Sequence, residues 1–460
     1  MPRAHTYDAP GGWTFPDLAA LLPDGARLDT SETRVVVTHF DTVDRALARN
    51  GISVLLQAEH CFVQLPDEEF RTNSASPRAV PREVQDVLLG VRGGRRLIAV
   101  GRTDTLRRTG EIVGVDGQVA ASVIDDEVIA TAADSGEVEQ RRREISVEGA
   151  DKPLRTALNR ELKRSGAKSA RRAAKSAPSG EDGNRGTIGR LLLDYLDGQR
   201  GAILAADIDL RRGADVVHAA RVAMRRYRSA LRVFGDVFDA ERAAALDTEL
   251  RWVAGELGVA RDAEVERARL SRAVAALAPE VVLGPVAARI DEALLSDQVK
   301  ARSRVDRLMR GRRYLALLAE LEAWHDAPPL TDVAANDAKT AARYVKSAER
   351  SMRKRLRGIK DADDAALHRA RKAAKRSRYA AELATPSLGK PATRIAKRSK
   401  KLQTHLGLYL DAKLACGTLL QLGRATAART SDNGFTYGLL YQVERDGAAA
   451  ARARAVKLAR

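Results

Sequence analysis

Two segments confine this chain more than any other feature: 216–238 (VVHAARVAMRRYRSALRVFGDVF) and 367–383 (LHRARKAAKRSRYAAEL). At about 100° per residue, the first divides into opposite faces. His218, Arg221, Arg225, Arg228 and Arg232 recur on one side, while Ala220, Ala223, Met224, Tyr227, Leu231 and Phe234 hold the other. The apolar stripe is what a helix buries against its neighbours. The polar face from His218 to Arg232 carries no acid, so the helix cannot neutralise itself through i,i+4 pairs. A lone basic face of this kind is ordinarily just solvated.

Repetition argues for more than solvation. About 150 residues later His368, Arg371, Ala373, Arg376 and Arg378 match His218, Arg221, Ala223, Arg226 and Arg228, and Lys375 matches Arg225. Downstream, LGVARDAEV (257–265) is echoed by LGLYLDAKL (406–414), which aligns Gly258 with Gly407 and Asp262 with Asp411. A solvated face has no reason to repeat a histidine and three arginines in register. The duplication points to one polyanionic ligand held by two copies of a cationic constellation. Lys372 in the second copy, Lys346 and Arg353 in 336–359, and Arg394, Lys397 and Lys401 in 391–406 add bases at helical spacing. These residues together are the candidate binding set.

The segment VHAARVAMRRYRSALRVF resembles the signature of the CHAD family, the conserved-histidine α-helical domains, and LHRARKAAKRSRYAAEL is similar to its second-half counterpart. The similarity runs over roughly 184–445 and includes the LG-x-x-x-D segments. It implies two helical bundles related by internal pseudo-symmetry, with basic helices lining a central surface or pore. It also implies binding of inorganic polyphosphate and association with polyphosphate granules.

Residues 1–150 read differently. Short apolar alternations at 34–38, 52–57, 96–100, 112–115, 120–124 and 144–147 predict strands, with short helices at 16–22 and 81–89. The Asp-Gly of VDGQ (115–118) suits a hairpin turn. The expected fold class is therefore α+β: an N-terminal antiparallel β-barrel or tunnel-like domain (1–150), a basic linker (151–184) and a C-terminal all-α domain (185–460). Within the last, the internal repeat covers about 187–325 and 336–445. HFDTVDRALARNGISVLLQ, GVDGQVAASVIDDEVIA and RREISVEG resemble parts of the CYTH, or triphosphate-tunnel, fold. Active members of that family line the tunnel with bases, open with an E-x-E-x-K strand and hold a divalent metal. Here the first strand is HTYDAPG, Leu55, Leu56 and Gln64 stand where bases belong, and Ser146 separates Glu144 from Glu148. Arg102, Arg107 and Arg108 remain to face a tunnel. The resemblance thus implies a degenerate scaffold that has lost catalysis.

Charge follows the same division. Residues 1–150 hold 17 Lys+Arg against 24 Asp+Glu, so the net charge of +18 is made up of −7 there and +25 beyond, and every lysine lies past position 150. Polyphosphate carries about one negative charge per phosphate and offers no base to read. Arg supplies forks for adjacent oxygens and Lys supplies mobile point charges. His218 and His368 have no second histidine or acid at metal-ligand spacing, so no metal, cofactor or catalytic residue is expected. Each histidine either donates to a phosphate oxygen or makes a positioning hydrogen bond to an acid such as Asp262 or Asp411. Arg261 and Asp262 read as a structural ion pair near a helix end.

The expected function is non-enzymatic polyphosphate binding. The alternatives are nucleic-acid binding by the same basic surface, weak at most given the few aromatics available for stacking, and residual metal-dependent triphosphatase activity in residues 1–150. No run of apolar residues is long enough to cross a membrane. The first residues lack an apolar core of a secretory signal, and Cys61 and Cys416 read as free thiols. A cytoplasmic protein associated with polyphosphate granules is the corresponding expectation for location.

Overall fold

The computed structural model describes residues 5–10, 12–76, 78–169, 186–426 and 433–459, and divides into two compact units, 1–180 and 181–460. The first is built on a nine-stranded sheet in which every pairing between neighbours is antiparallel. Its strands are β1 (His5–Ala9), β2 (Arg27–Asp41), β3 (Ser53–Gln57), β4 (His60–Gln64), β5 (Glu69–Asn73), β6 (Ile98–Val113), β7 (Val119–Ala132), β8 (Val138–Glu148) and β9 (Lys168–Ser169). The order β5-β4-β3-β2-β6-β7-β8-β1-β9 leaves β5 and β9 as edges, so hydrogen bonds do not close the tunnel-like sheet into a barrel. Helices α1 (Ala46–Arg49), α2 (Arg82–Val87) and α3 (Leu89–Arg92) are single turns or little more. The helix expected at 16–22 is reduced to a 3₁₀ turn at Ala19–Leu21.

Strands β2, β6 and β7 far outrun the apolar segments that announced them. Their extra length is held by ion pairs across the ladder. Arg34 meets Asp104 at 2.7 Å, Arg107 meets Asp126 at 2.7 Å and Arg108 meets Glu32 at 2.8 Å. Opposite charges facing each other across strands stabilise a sheet without giving the period-2 apolar pattern. At one point the pairing is fully buried: Arg143 grips Asp125 bidentately at 2.8 and 2.7 Å and lies over Trp13.

The expected linker begins later than 151. Asp151 caps α4 (Lys152–Arg164) by accepting from the Leu154 amide, and Leu154, Leu158 and Leu162 are buried in the core of the first unit beside Ile112, Ile145 and Val147. Leucines at i, i+4 and i+8 mark a packed face, and β9 then pairs with β1. Residues 170–184 of the expected linker lie outside the described residues.

The second unit is helical. Its helices are α5 (Ile188–Arg211), α6 (Val217–Val233), α7 (Ala240–Ala275), α8 (Val286–Arg310), α9 (Arg312–Asp326), α10 (Ala341–Leu356), α11 (Asp364–Leu383), α12 (Thr385–Leu388), α13 (Lys390–Thr426) and α14 (Phe435–Ala459). The succession α5-α6-α7-α8 returns as α10-α11-α13-α14, giving two pseudo-symmetric bundles. Helices α7 and α13 span 36 and 37 residues, and α8 and α14 span 25 each. Helix α7 runs unbroken through Gly258. The far ends of α7 and α13 share one core with α8 and α14, built from Leu270, Val274, Ile290, Ala415, Leu419 and Leu440. No described helix is long and apolar enough to cross a membrane.

Candidate polyanion-binding site

Helices α6, α7, α11 and α13 surround a cavity of about 890 Å³. Buried residues on α6 (Ala220, Ala223, Met224, Tyr227 and Leu231) fix that helix from behind. Burial of Ala370, Ala373, Ala374 and Ala381 does the same for α11. Both basic faces therefore turn inward. Arg221, Arg225, Arg228 and Arg232 line the cavity from α6, and Arg371, Lys372, Lys375 and Arg376 from α11. Arg251 and Arg269 of α7 bring the bases to ten, against the acids Asp262, Glu266 and Asp411. Tyr379, Val265, Leu410 and Leu414 give the remaining wall an apolar character. Arg232 and Arg376 also line an adjoining cavity of about 400 Å³, together with Arg343, Ser347 and Ser351.

The two faces differ in how far their charge is already answered. Asp247 on α7 accepts from Arg228 at 3.0 Å, Arg232 at 2.7 Å and Arg251 at 3.5 Å. Burial alone would raise its pKa, but hydrogen bonds from Arg232 and Arg228 hold its carboxyl below the usual carboxylate range. Arg221 donates to Asp262 at 2.8 Å and to the Gly258 carbonyl at 3.3 Å. On α11, by contrast, no carboxylate among the described residues lies within ion-pair distance of Lys372, Lys375 or Arg376. The Nε of Arg371 is buried without a hydrogen-bond partner.

Crowding of like charge shifts the titration of this surface. Burial, then Arg225, Arg371 and Arg221, push the Lys375 ammonium down to about 6. His218 and His368 are each held below the ordinary histidine value by burial and then by neighbouring bases. Arg225 and Arg376 are lowered for the same reasons. Desolvation and like charge both disfavour the protonated form, whereas negative charge brought into the cavity would favour it. Asp411 moves the other way, raised by burial against the pull of Arg371.

The remaining candidates fall elsewhere. His368 lines the cavity; His218 stands at the N-terminal end of α6, coupled to Arg225 and Lys375 but outside the lining. Neither histidine has a hydrogen-bond partner among the described residues, so the bond to Asp262 or Asp411 is not formed; Asp262 is taken by Arg221. Arg261 does not pair with Asp262 either. It reaches Glu264 at 3.0 Å, and both lie mid-helix. Arg226 and Arg378 converge on Glu382 at 3.2 and 2.6 Å and lie against the ring of Tyr379, which ties α6 to α11 with all three charged groups outside the cavity lining. Arg353 pairs with Glu349 on its own helix at 2.7 Å, and Lys346, Arg394, Lys397 and Lys401 are exposed.

Asp247, Arg251, Glu266 and Arg269 escaped the sequence reading. Asp247, Arg251, Gly258, Asp262 and Arg269 follow one another at helical spacing along α7. A single uninterrupted helix over 240–275 would have placed them on one face. In the first unit, Arg102, Arg107 and Arg108 each sit by a carboxylate: Asp104 at 3.9 Å, Asp126 at 2.7 Å and Glu32 at 2.8 Å. Among the described residues no group of three or more His, Cys, Asp or Glu is placed to hold a metal ion. Cys61 and Cys416 are buried free thiols.

Residues 194–420 match the family model of the CHAD domain. Two uncharacterized proteins of Mycobacterium tuberculosis, from strains CDC 1551 / Oshkosh and ATCC 25618 / H37Rv, are each 32% identical over 484 residues. Each match covers 94% of this chain and 90% of the relative. Among solved structures, PptA from Streptomyces chartreusis is similar in fold, with a TM-score of 0.50 and 22% identity over 59% of this chain and 99% of that one. The CHAD domain from the plant Ricinus communis gives a TM-score of 0.46 and 25% identity over 58% of this chain and 92% of that one.

Proposed function

Because the chain belongs to the CHAD-domain family, we propose that it binds inorganic polyphosphate between α6 and α11 without converting it, and that this binding draws it to polyphosphate granules. The observation that carries the reading is the charge of one cavity, ten bases against three acids, with its α11 bases Arg371, Lys372, Lys375 and Arg376 free of ion pairs among the described residues. A flexible polyanion answers that charge along its length. Partial enclosure by low-dielectric walls strengthens each contact relative to an open surface. The pairing of Arg107 with Asp126 and of Arg108 with Glu32 supports a first unit without triphosphatase chemistry, since those two guanidinium groups are already answered.

The test is binding of long-chain polyphosphate to the full chain near physiological salt, with duplex DNA of equal charge as competitor. Polyphosphate held against DNA supports the proposal. Equal displacement reduces the cavity to a generic polyanion surface and puts nucleic-acid binding first. Affinity falls steeply as salt rises in either case, so the competition and not the salt slope decides. Incubation with triphosphate and magnesium or manganese should release no phosphate; steady release would return catalysis to the first unit.

A further inference from the structure

Two glycines occupy equivalent places in the two halves, and each lies under an arginine of the cavity. A Cβ built on Gly258 of α7 would sit 2.9 Å from Nη2 of Arg221, 3.1 Å from its Cζ and 3.4 Å from its Nε. A Cβ on Gly407 of α13 would sit 3.0 Å from Nη2 of Arg371, 3.3 Å from Nε and 3.5 Å from Cζ. Three atoms of one planar group at such distances mean that each guanidinium lies against the helix surface the missing methyl leaves bare. Neither glycine has positive φ, so backbone conformation does not require it. Both are mid-helix, where glycine is unfavourable relative to alanine. A residue that weakens its own helix, twice and in register, calls for an account from its neighbours.

We infer that Gly258 and Gly407 are positioning residues for anion binding, each providing the seat from which the Arg221 or Arg371 guanidinium faces the cavity. This rests on the polyanion-binding reading above. The two seats differ in a way that ranks them. Arg221 is additionally tethered to Asp262 at 2.8 Å and to the Gly258 carbonyl at 3.3 Å. Among the described residues Arg371 has no such anchor, and its buried Nε has no partner. The atoms displaced by a methyl are the far end of a flexible side chain, so the helix keeps its path while the arginine moves.

Gly258→Ala and Gly407→Ala should each weaken binding of long-chain polyphosphate by about threefold to tenfold, a loss of up to one well-placed charged contact. Gly407→Ala should be the more damaging. Thermal midpoints should hold or rise, because alanine favours the helix interior. The effect must pass through the arginine: in an Arg371→Ala background, adding Gly407→Ala should leave affinity unchanged. Variants that bind like the parent, or a penalty that persists without the Arg371 guanidinium, overturn the inference. If Gly407→Ala fails to fold, its combination with Arg371→Lys decides, since the slimmer ammonium clears the methyl. Affinity equal to Arg371→Lys alone supports the seat, and weaker binding overturns it. Failure of the parent chain to bind polyphosphate would sink the reading beneath. The seat is then judged on the Arg371 Nε–Hε NMR resonance, which moves in Gly407→Ala if the inference is right and stays if it is wrong.

Discussion

Asp247 holds three arginines, and so governs how much of α6 a ligand can use. Asp247→Asn should release Arg228 and Arg232 toward the cavity and tighten polyphosphate binding by about threefold. It should also cost roughly 1–3 kcal/mol of stability as buried charged hydrogen bonds are lost. Direct titration and thermal denaturation of one variant check both signs. Because the Asp247 pKa is lower in the folded than in the unfolded chain, its contribution is present above the ordinary carboxylate range. It is lost as pH falls through the folded value. Lys375 has the same sense in a higher pH range. Its folded value, about 6 against an ordinary 10.5, means the unfolded chain takes the proton first, so the apo protein loses stability as pH falls from 10.5 toward 6. A bound polyanion raises that pKa. Binding at pH 7 should therefore take up a proton, and affinity should grow as pH is lowered toward 6, with His218 and His368 adding to the effect. Calorimetry in buffers of different ionisation enthalpy measures the uptake, and Lys375→Gln should remove most of it. At this scale the sequence was half legible. Helical spacing and the repeat brought Arg221, Arg225, Arg371 and Lys375 together, but it could not show that Arg226 and Arg378 are consumed by Glu382, because that acid answers both helices only in three dimensions.

Helices α6 and α11 look equivalent in sequence and are unequal as charged surfaces. Replacing Lys372, Lys375 and Arg376 with glutamine should weaken binding more than replacing Arg228 and Arg232, because the latter pair is already answered by Asp247. Replacing the exposed Lys397 and Lys401 should change affinity by less than about twofold near physiological salt, where exposed charges beyond a Debye length of about 8 Å are screened. Equal losses from all three sets would mean that diffuse charge does the binding. The amphipathic signature helices were the most legible elements, since a mid-chain apolar stripe opposite a basic one admits no strand. The long elements were the least legible. Gly258 read only as the partner of Gly407 in the repeat, and it proved to be a contact surface within the unbroken α7. Alanine-rich α14 has no sharp stripe, so only its start fell inside the expected repeat. The middle parts of β2, β6 and β7 alternate charges that meet on neighbouring strands, a pattern invisible until the register is known.

For the molecule as a whole, a cavity of mutually repelling bases sets the conditions under which the fold is most secure. The apo protein should gain thermal stability with added salt, and more with polyphosphate. The ligand's share should reach about 2.7 kcal/mol when free ligand is a hundredfold above Kd. A rise with salt alone and none with polyphosphate would count against the cavity as the ligand's place. The two-unit plan was legible from the charge division between residues 1–150 and the remainder. The unit boundary was not, because the leucines of α4 lie in a stretch whose bases suggested a tether. The shared core of α7, α8, α13 and α14 bears on how such a protein can be taken apart. A duplicated chain invites division into two independent copies, yet here each copy lends Leu270, Ile290, Leu419 or Leu440 to a seam that neither closes by itself. Severed between α9 and α10, the fragments should be insoluble when made singly and should reassemble when made together. The two halves should then behave as a single folding unit.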